Sequence, residues 1–263
     1  RPVGVNCDIG SYELPDPPPT IVSIMRVNPS PTNAATVDFL VTFSESVTGG
    51  DATNFTLTTT GTIAGASVTT VSAGPGTTRT VTVNTGSGDG TIRLDMANST
   101  GVADGGGNPV TNVPFSTGEV YTSDKTAPDT SITANPINPT NSTTAAFTFT
   151  GTDGGSGVAS FQCQLDGGGF SACTSPQNYA GLSDGPHTFN VRAIDVVGNV
   201  DASPASFSWT VDTVSPDTSI TATPATPSNS SSVSFSFTGA DSGSGIASFQ
   251  CQLDGGGFGA CTS

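Results

Sequence analysis

The chain has 263 residues, a formal net charge of −15 at pH 7 and only 10% charged side chains, so it is long enough for two to three domains and strongly acidic. Lys125 is its one lysine, which leaves no basic patch to neutralise phosphates and excludes a nucleic-acid binder, and an anionic membrane surface would repel it. No stretch of about 18 apolar residues is present to span a membrane, and a hydrophobic share of 33% fills several thin two-sheet cores more readily than one large core.

The first residue is Arg and no signal peptide follows it, so a targeting segment is expected upstream. The opening RPVGVNCDIGSYE resembles the closing strand of a secreted right-handed parallel β-helix domain. That resemblance implies a β-helix preceding this segment, with residues 1–14 as its C-terminal remnant. Cys7 lies here, with a partner upstream or a buried place in the β-helix end.

Pro17-Pro18-Pro19 is a stiff linker, and residues 15–125 read as a first sandwich. Val37, Phe39, Val41 and Phe43 fall on one side of a pleated strand; so do Val81 and Val83, and Ile92, Leu94 and Met96. The stretches VTFSESVTGGDATNFTL, GDGTIRLDM and VADGGGNPV resemble one type of bacterial immunoglobulin-like domain.

After the joint Asp124–Pro128 comes the feature that decides the architecture. Residues 128–175 recur at 216–263, an offset of 88, with 35 of 48 positions identical. That period is too long for a solenoid repeat and suits one immunoglobulin-like sandwich of roughly 100 residues. Within 126–213, Phe147 and Phe149 alternate with threonines, and Phe161, Cys163 and Leu165 with glutamines. Phe189, Val191 and Ala193, and Phe207, Trp209 and Val211, repeat the pattern. Turn-forming residues separate these runs, and no segment has a helical period.

Cys163 and Cys173 enclose a Gly-rich hairpin, and Cys251 and Cys261 repeat the arrangement. If Leu165 pairs near Phe170, Cys163 falls opposite residue 172 or 173, within reach of a disulfide. Two buried thiols are the alternative. A zinc site lacks the ligands, since each unit offers two cysteines and no second pair. Oxidised pairs point to an extracellular compartment.

Three patterns have the look of chemistry. Gly181-Leu182-Ser183-Asp184-Gly185 matches the nucleophile-elbow spacing, with His187 nearby, but that motif works on a strand-to-helix turn and here it leads into a strand, so it reads as turn chemistry. Asp153, Asp166, Asp184, Asp195 and Asp201 sit in expected turns or linkers, where Asp bonds its own backbone, so no carboxylate pair is assigned to catalysis and no catalytic residue is named. Asp124, Asp129, Asp212 and Asp217 flank the joints; they are weak candidates for a calcium site, set against plain linker use. No other cofactor is expected. Sequons occur at Asn54, Asn98, Asn141 and Asn229.

Residues 214–263 form a second copy of the repeat that stops at Ser263, before counterparts of the strands near 187–194 and 205–212. This truncated copy is expected to be unstable alone and to be digested first by protease. The pieces GTDGGSGVASFQCQLDGGGFSAC and DGPHTFNVRAIDVVGNVD, with the linker TAPDT, resemble the immunoglobulin-like repeats of large bacterial cell-surface proteins. The resemblance implies an all-β fold of tandem immunoglobulin-like β-sandwiches, the last truncated. It also implies a non-catalytic spacer or adhesive stalk outside the cell, whose partners are another surface protein or a glycan. The alternative is an accessory, glycan-binding region of a secreted carbohydrate-active enzyme with its catalytic domain upstream; that reading needs exposed aromatic rings, and the candidates are Tyr12, Tyr121, Tyr179 and Trp209.

Overall fold

The structure, a computed structural model, describes residues 16–263. The β-helix remnant expected over 1–14, and with it Cys7 and Tyr12, lies outside the described residues. The chain divides into two compact units. One runs through Thr126 and takes in Gly154–Ser156 and Val196–Asn199; the other holds Ala127–Asp153, Gly157–Asp195 and Val200–Ser263. Both are built almost wholly of antiparallel strands, and among the described residues the one helical element is the 3₁₀ turn Ala52–Asn54, capped by Asp51.

The first unit has strands β1 (Ile21–Arg26), β2 (Thr36–Val47), β3 (Phe55–Thr59), β4 (Ser67–Val71), β5 (Gly76–Asn84), β6 (Gly90–Met96) and β7 (Val120–Ser123). They form a four-stranded sheet in the order β1-β2-β5-β4 and a three-stranded sheet β3-β6-β7, an immunoglobulin-like sandwich. The alternation read from the sequence is the alternation of burial: Val37, Phe39, Val41, Phe43, Val81, Val83, Ile92, Leu94 and Met96 are all inside. Each such side chain contributes about 1.5–3 kcal/mol by leaving water. Tyr121 joins them edge-on to Phe39, with ring centroids 5.0 Å apart.

One inward position of β5 holds a charge. Arg79 is buried on the same face as Val81 and Val83. Its guanidinium donates to the carbonyls of Val47, Gly74, Gly76 and Thr78, so the strand and loop ends supply the oxygens that water would otherwise offer. Burial pushes its pKa down from the usual arginine value.

The second unit opens with β8 (Asp129–Ala134), β9 (Ala145–Thr152), β10 (Val158–Leu165), β11 (Ser171–Cys173), β12 (Gln177–Tyr179), β13 (Gly185–Asp195) and β14 (Ala205–Val211). A four-stranded sheet β11-β10-β13-β14 faces a three-stranded sheet β12-β9-β8. Between them Phe147 stacks on Phe189 at 4.1 Å, and Trp209 lies 5.2 Å from Phe147. Val191, Val211 and Cys163 close this core.

The repeat copy follows as β15 (Asp217–Ala222), β16 (Ser236–Ala240), β17 (Phe249–Cys251) and β18 (Gly259–Cys261), in two two-stranded sheets. Near-identical sequence forms shorter strands here. The five-residue β16 answers to the eight-residue β9, and the three-residue β17 to the eight-residue β10. The difference is cover: β9 and β10 have β13 and β14 over them, whereas Phe235 and Leu253 are 42% and 66% exposed.

Candidate functional site

The hairpins carry the disulfides. Cys163 and Cys173 are bonded, as are Cys251 and Cys261, each pair with Cα atoms 5.8 Å apart. The expected register is corrected: Cys163 faces Ser171, and Cys173 faces Phe161, so the bridge crosses the ladder diagonally. The cause is the turn. Asp166 and Gly167 both take positive φ, 50° and 73°, in a tight two-residue turn closed by Gly168 N–H donating to the Leu165 carbonyl. Gly169 and Phe170 then follow outside the paired strand, shifting the return strand, and strand twist shortens one diagonal.

The linker carboxylates behave in pairs. Asp124 is fully buried and accepts the backbone N–H of Ser156 at 2.6 Å and that of Thr126 at 3.3 Å. At the repeat offset, Asp212 accepts Ser244 N–H at 2.6 Å and Val214 N–H at 3.2 Å. These bonds hold the Asp212 carboxyl below the usual range: the hydroxyl and backbone N–H of Ser244 lead, Val214 adds to them, and burial opposes. In each case a glycine lets the backbone approach; a Cβ on Gly155 would lie 2.3 Å from Asp124 Cγ, and one on Gly243 2.3 Å from Asp212 Cγ. The loop is tied internally as well, by Gly157 N–H on Asp153 and Gly245 N–H on Asp241. Lys125, next to Asp124, donates its ammonium to the carbonyls of Asn33 and Ala34, and Asp89 receives the N–H groups of Lys125 and Thr126.

The other two calcium candidates stand apart. Asp129 and Asp217 are exposed first residues of β8 and β15, and neither they nor Asp212 belongs to a group of three converging acidic side chains among the described residues. Asp16, Glu45 and Asp104 do converge, with oxygens within 4.8 Å of one another. Sequence reasoning missed them because they are 29 and 59 residues apart with no motif between. Partial burial, with Asp16 and Asp104 nearby, raises the Glu45 pKa. Asp104 is already engaged by Asn108, through its N–H at 2.8 Å and its amide at 2.9 Å.

His187 is buried near the start of β13. Gly181 and Gly185 both have positive φ, 70° and 124°, so the elbow-like spacing is explained by backbone turns that favour glycine. The turn reading needs correction for Asp195, which ends β13 and is 2% exposed; Asp201 does lie in the connection after β13, its Oδ1 accepting the N–H and hydroxyl of Ser203, but it is equally buried. Both come inside because the β13–β14 connection folds back on the sheet, Asp201 N–H donating to the Ala193 carbonyl. Of the aromatic candidates among the described residues, Trp209 and Tyr121 are buried, and Tyr179 is half-buried edge-on to Phe147 and Phe189. The sequon at Asn54 is buried too, its amide donating to Asn98 and Thr100.

The fold and these contacts define an all-β chain of immunoglobulin-like sandwich modules. No protein-family model matches it, and no curated protein is similar to it. Solved structures like it in fold include fibronectin(III)-like modules of Clostridium thermocellum CbhA, at 15% identity and a TM-score of 0.33, covering 72% of this chain and 93% of that one. The bacterial surface layer protein SbsC, domains 1–6, is 17% identical with a TM-score of 0.28; the match covers 84% of this chain and 32% of that one. The D0-D1 domain of intimin is 9% identical with a TM-score of 0.27, covering 73% and 99%. Likenesses this distant say nothing of activity or partner.

Proposed function

We propose that the chain is a non-catalytic, extracellular structural or adhesive segment of a bacterial surface protein, a spacer of sandwich modules in series over 15–125, 126–213 and 214–263. The observation that supports it most is the repeated linker clamp. The same Asp–Ser contact, with the same glycine beneath it, recurs 88 residues on. A repeated module with a repeated linker anchor suits a part that bears load, because each copy adds length without new chemistry. The disulfide-closed hairpins agree with an oxidising compartment. His187, which resembled a base beside a nucleophile, is engaged by the Asp166 carboxylate and the Ser183 carbonyl.

Single-molecule pulling tests this reading. Each closed module of about 100 residues should unfold in one discrete event releasing on the order of 350 Å of contour length. Extension at negligible force without discrete events would sink it.

A further inference from the structure

Residues 127–263 hold one arginine, Arg192, and no lysine, against ten aspartates. Among the described residues none of the ten forms an ion pair with it. The other described arginines and the lysine are engaged: Arg26 pairs with Glu119 and Arg93 with Asp95, and Arg79 and Lys125 donate to backbone carbonyls. Arg192 is held differently. Its Nε donates to Oε1 of Gln162 at 2.9 Å, and its guanidinium lies 4.1 Å over the ring of Phe170. Nη1 and Nη2 have no partner among the described residues and are not buried. The planar fork is thus fixed on one side by an amide and a ring, and open to solvent on the other.

Its neighbours are neutral and fixed as well. Gln164 accepts the Asn190 amide at 2.9 Å and donates its own amide to the Gly168 carbonyl, so both its ends are used and Asn190 keeps an oxygen to offer. Gln162, having accepted from Arg192, keeps its amide N–H groups. Gln162 is the ladder partner of Arg192, and Gln164 of Asn190. The open groups therefore share one patch, about 4.8 Å across between strands and about 6.7 Å along them. No carboxylate stands on the outward positions of β10, β13 or β14, and Thr188 and Ser208, their hydroxyls 3.0 Å apart, border the patch. On a chain of net charge −15 this face carries only neutral hydrogen-bonding groups and one cation.

We propose that this patch binds the carboxylate-bearing sugars of an acidic glycan; the proposal rests on the adhesive form of the reading above and gives it a ligand class. The fixed guanidinium takes the uronate carboxylate through two parallel N–H···O bonds, the pairing its plane is shaped for. A sugar hydroxyl both donates and accepts, so the Gln162 amide donates to one and the Asn190 oxygen accepts from another. An acidic peptide offers the same carboxylate but draws its remaining affinity from a free strand edge and side-chain pockets. Here β10 and β13 are interior strands of the sheet β11-β10-β13-β14, with their ladders already filled, and the patch is polar throughout.

The test titrates tetrasaccharides of galacturonate, glucuronate and mannuronate, one at a time, into the isotopically labelled whole chain, followed by magnetic resonance of its N–H groups. At least one should saturate a single site, moving the Arg192 side-chain signal and the amides of 162–164 and 190–192. The methyl ester of that sugar keeps the hydroxyls and loses the charge, and it should bind at least tenfold more weakly. The chain carrying Arg192→Gln should lose as much, and Arg192→Lys, which keeps the charge without the fork, should fall between. Gln162→Ala is a second variant, expected to bind several-fold more weakly, and Trp209 fluorescence melts establish that each variant is folded. The proposal is overturned if none of the three sugars binds, if the ester binds as well as the acid, if the shifts fall elsewhere, or if an oligoglutamate peptide binds the same residues equally well. Those outcomes leave the spacer reading standing, since its own test is stepwise unfolding under load; a chain that binds uronate but extends without steps would lose the spacer reading alone.

Discussion

Nδ1 of His187 lies 2.7 Å from Oδ2 of Asp166, and Nε2 of the same ring lies 2.8 Å from the carbonyl oxygen of Ser183. A carboxylate and a carbonyl can only accept, so both ring nitrogens must donate, and that is the imidazolium. Burial alone would lower the His187 pKa; the Ser183 carbonyl and the Asp166 carboxylate outweigh it and raise the value above 6.5.

A folded pKa above the unfolded one gives stability that is complete below the unfolded value and is lost as pH rises through the folded value. The second unit should therefore weaken as pH climbs from 6.5 upward. Trp209, 5.4 Å from the His187 ring and the chain's one tryptophan, supplies the fluorescence signal for denaturant melts. Asp166→Asn should lower stability at pH 6 by about 1 kcal/mol, since the carboxylate is partly solvated, and should flatten the fall above neutrality. An unchanged pH profile would remove His187 as its cause.

What the sequence revealed and what it hid follow from period and reach. Val37 to Phe43 and Phe189 to Ala193 were legible because a pleat puts every second side chain inside, whatever lies opposite. The diagonal crossing of Cys163 to Cys173 was not, because it depends on how many residues the Asp166-Gly167 turn consumes. The burial of Arg79 and Asp195 was not legible, because the groups around them come from loops and strand ends brought in by the fold. The Asp124–Ser156 contact spans 32 residues of sequence and surfaces only as a repeat offset once Asp212–Ser244 is set beside it.

Tyr121 offers a test of the first sandwich. Its hydroxyl donates to the Asp38 carbonyl at 2.8 Å and accepts the N–H groups of Val27 and Asn28 at 3.0 and 2.8 Å. Tyr121→Phe keeps the ring against Phe39 and removes the hydroxyl. It should cost about 0.5–1.5 kcal/mol, the net worth of a partly buried hydrogen bond, because Val27 N–H keeps the Asp38 carbonyl as its partner. Thermal melts should show the loss confined to the first unit; a stability equal to the parent would mean water replaces the hydroxyl.

The disulfides predict a thiol count and a stability difference. Before reduction no more than one thiol per chain should react, and five afterwards. Replacing Cys163 and Cys173 together by Ala should destabilise by roughly 2–3 kcal/mol on the loop-entropy estimate for a short loop. The same change at Cys251 and Cys261 should alter the melting of the rest of the chain little, because Cys251 is exposed where Cys163 is buried. Four or five free thiols in the untreated protein would contradict the bonded pairs.

The linker clamp is tested at its glycine. A methyl group on Gly155 would sit 2.3 Å from Asp124 Cγ and 2.5 Å from both carboxylate oxygens, closer than any real contact. Gly155→Ala must either push the loop back or swing the carboxylate off Ser156 N–H, and it should cost about 1–3 kcal/mol. The carboxylate is the obstacle, so removing it should make room: in an Asp124→Ala background the same glycine change should be nearly neutral. The two changes together should then cost clearly less than the sum of the two alone. Gly243→Ala with Asp212→Ala should show the same sign of coupling, since Asp212 meets Gly243 at the same 2.3 Å. Additive losses at both sites would mean that glycine and carboxylate are independent, and the clamp would have to be abandoned as the element that repeats.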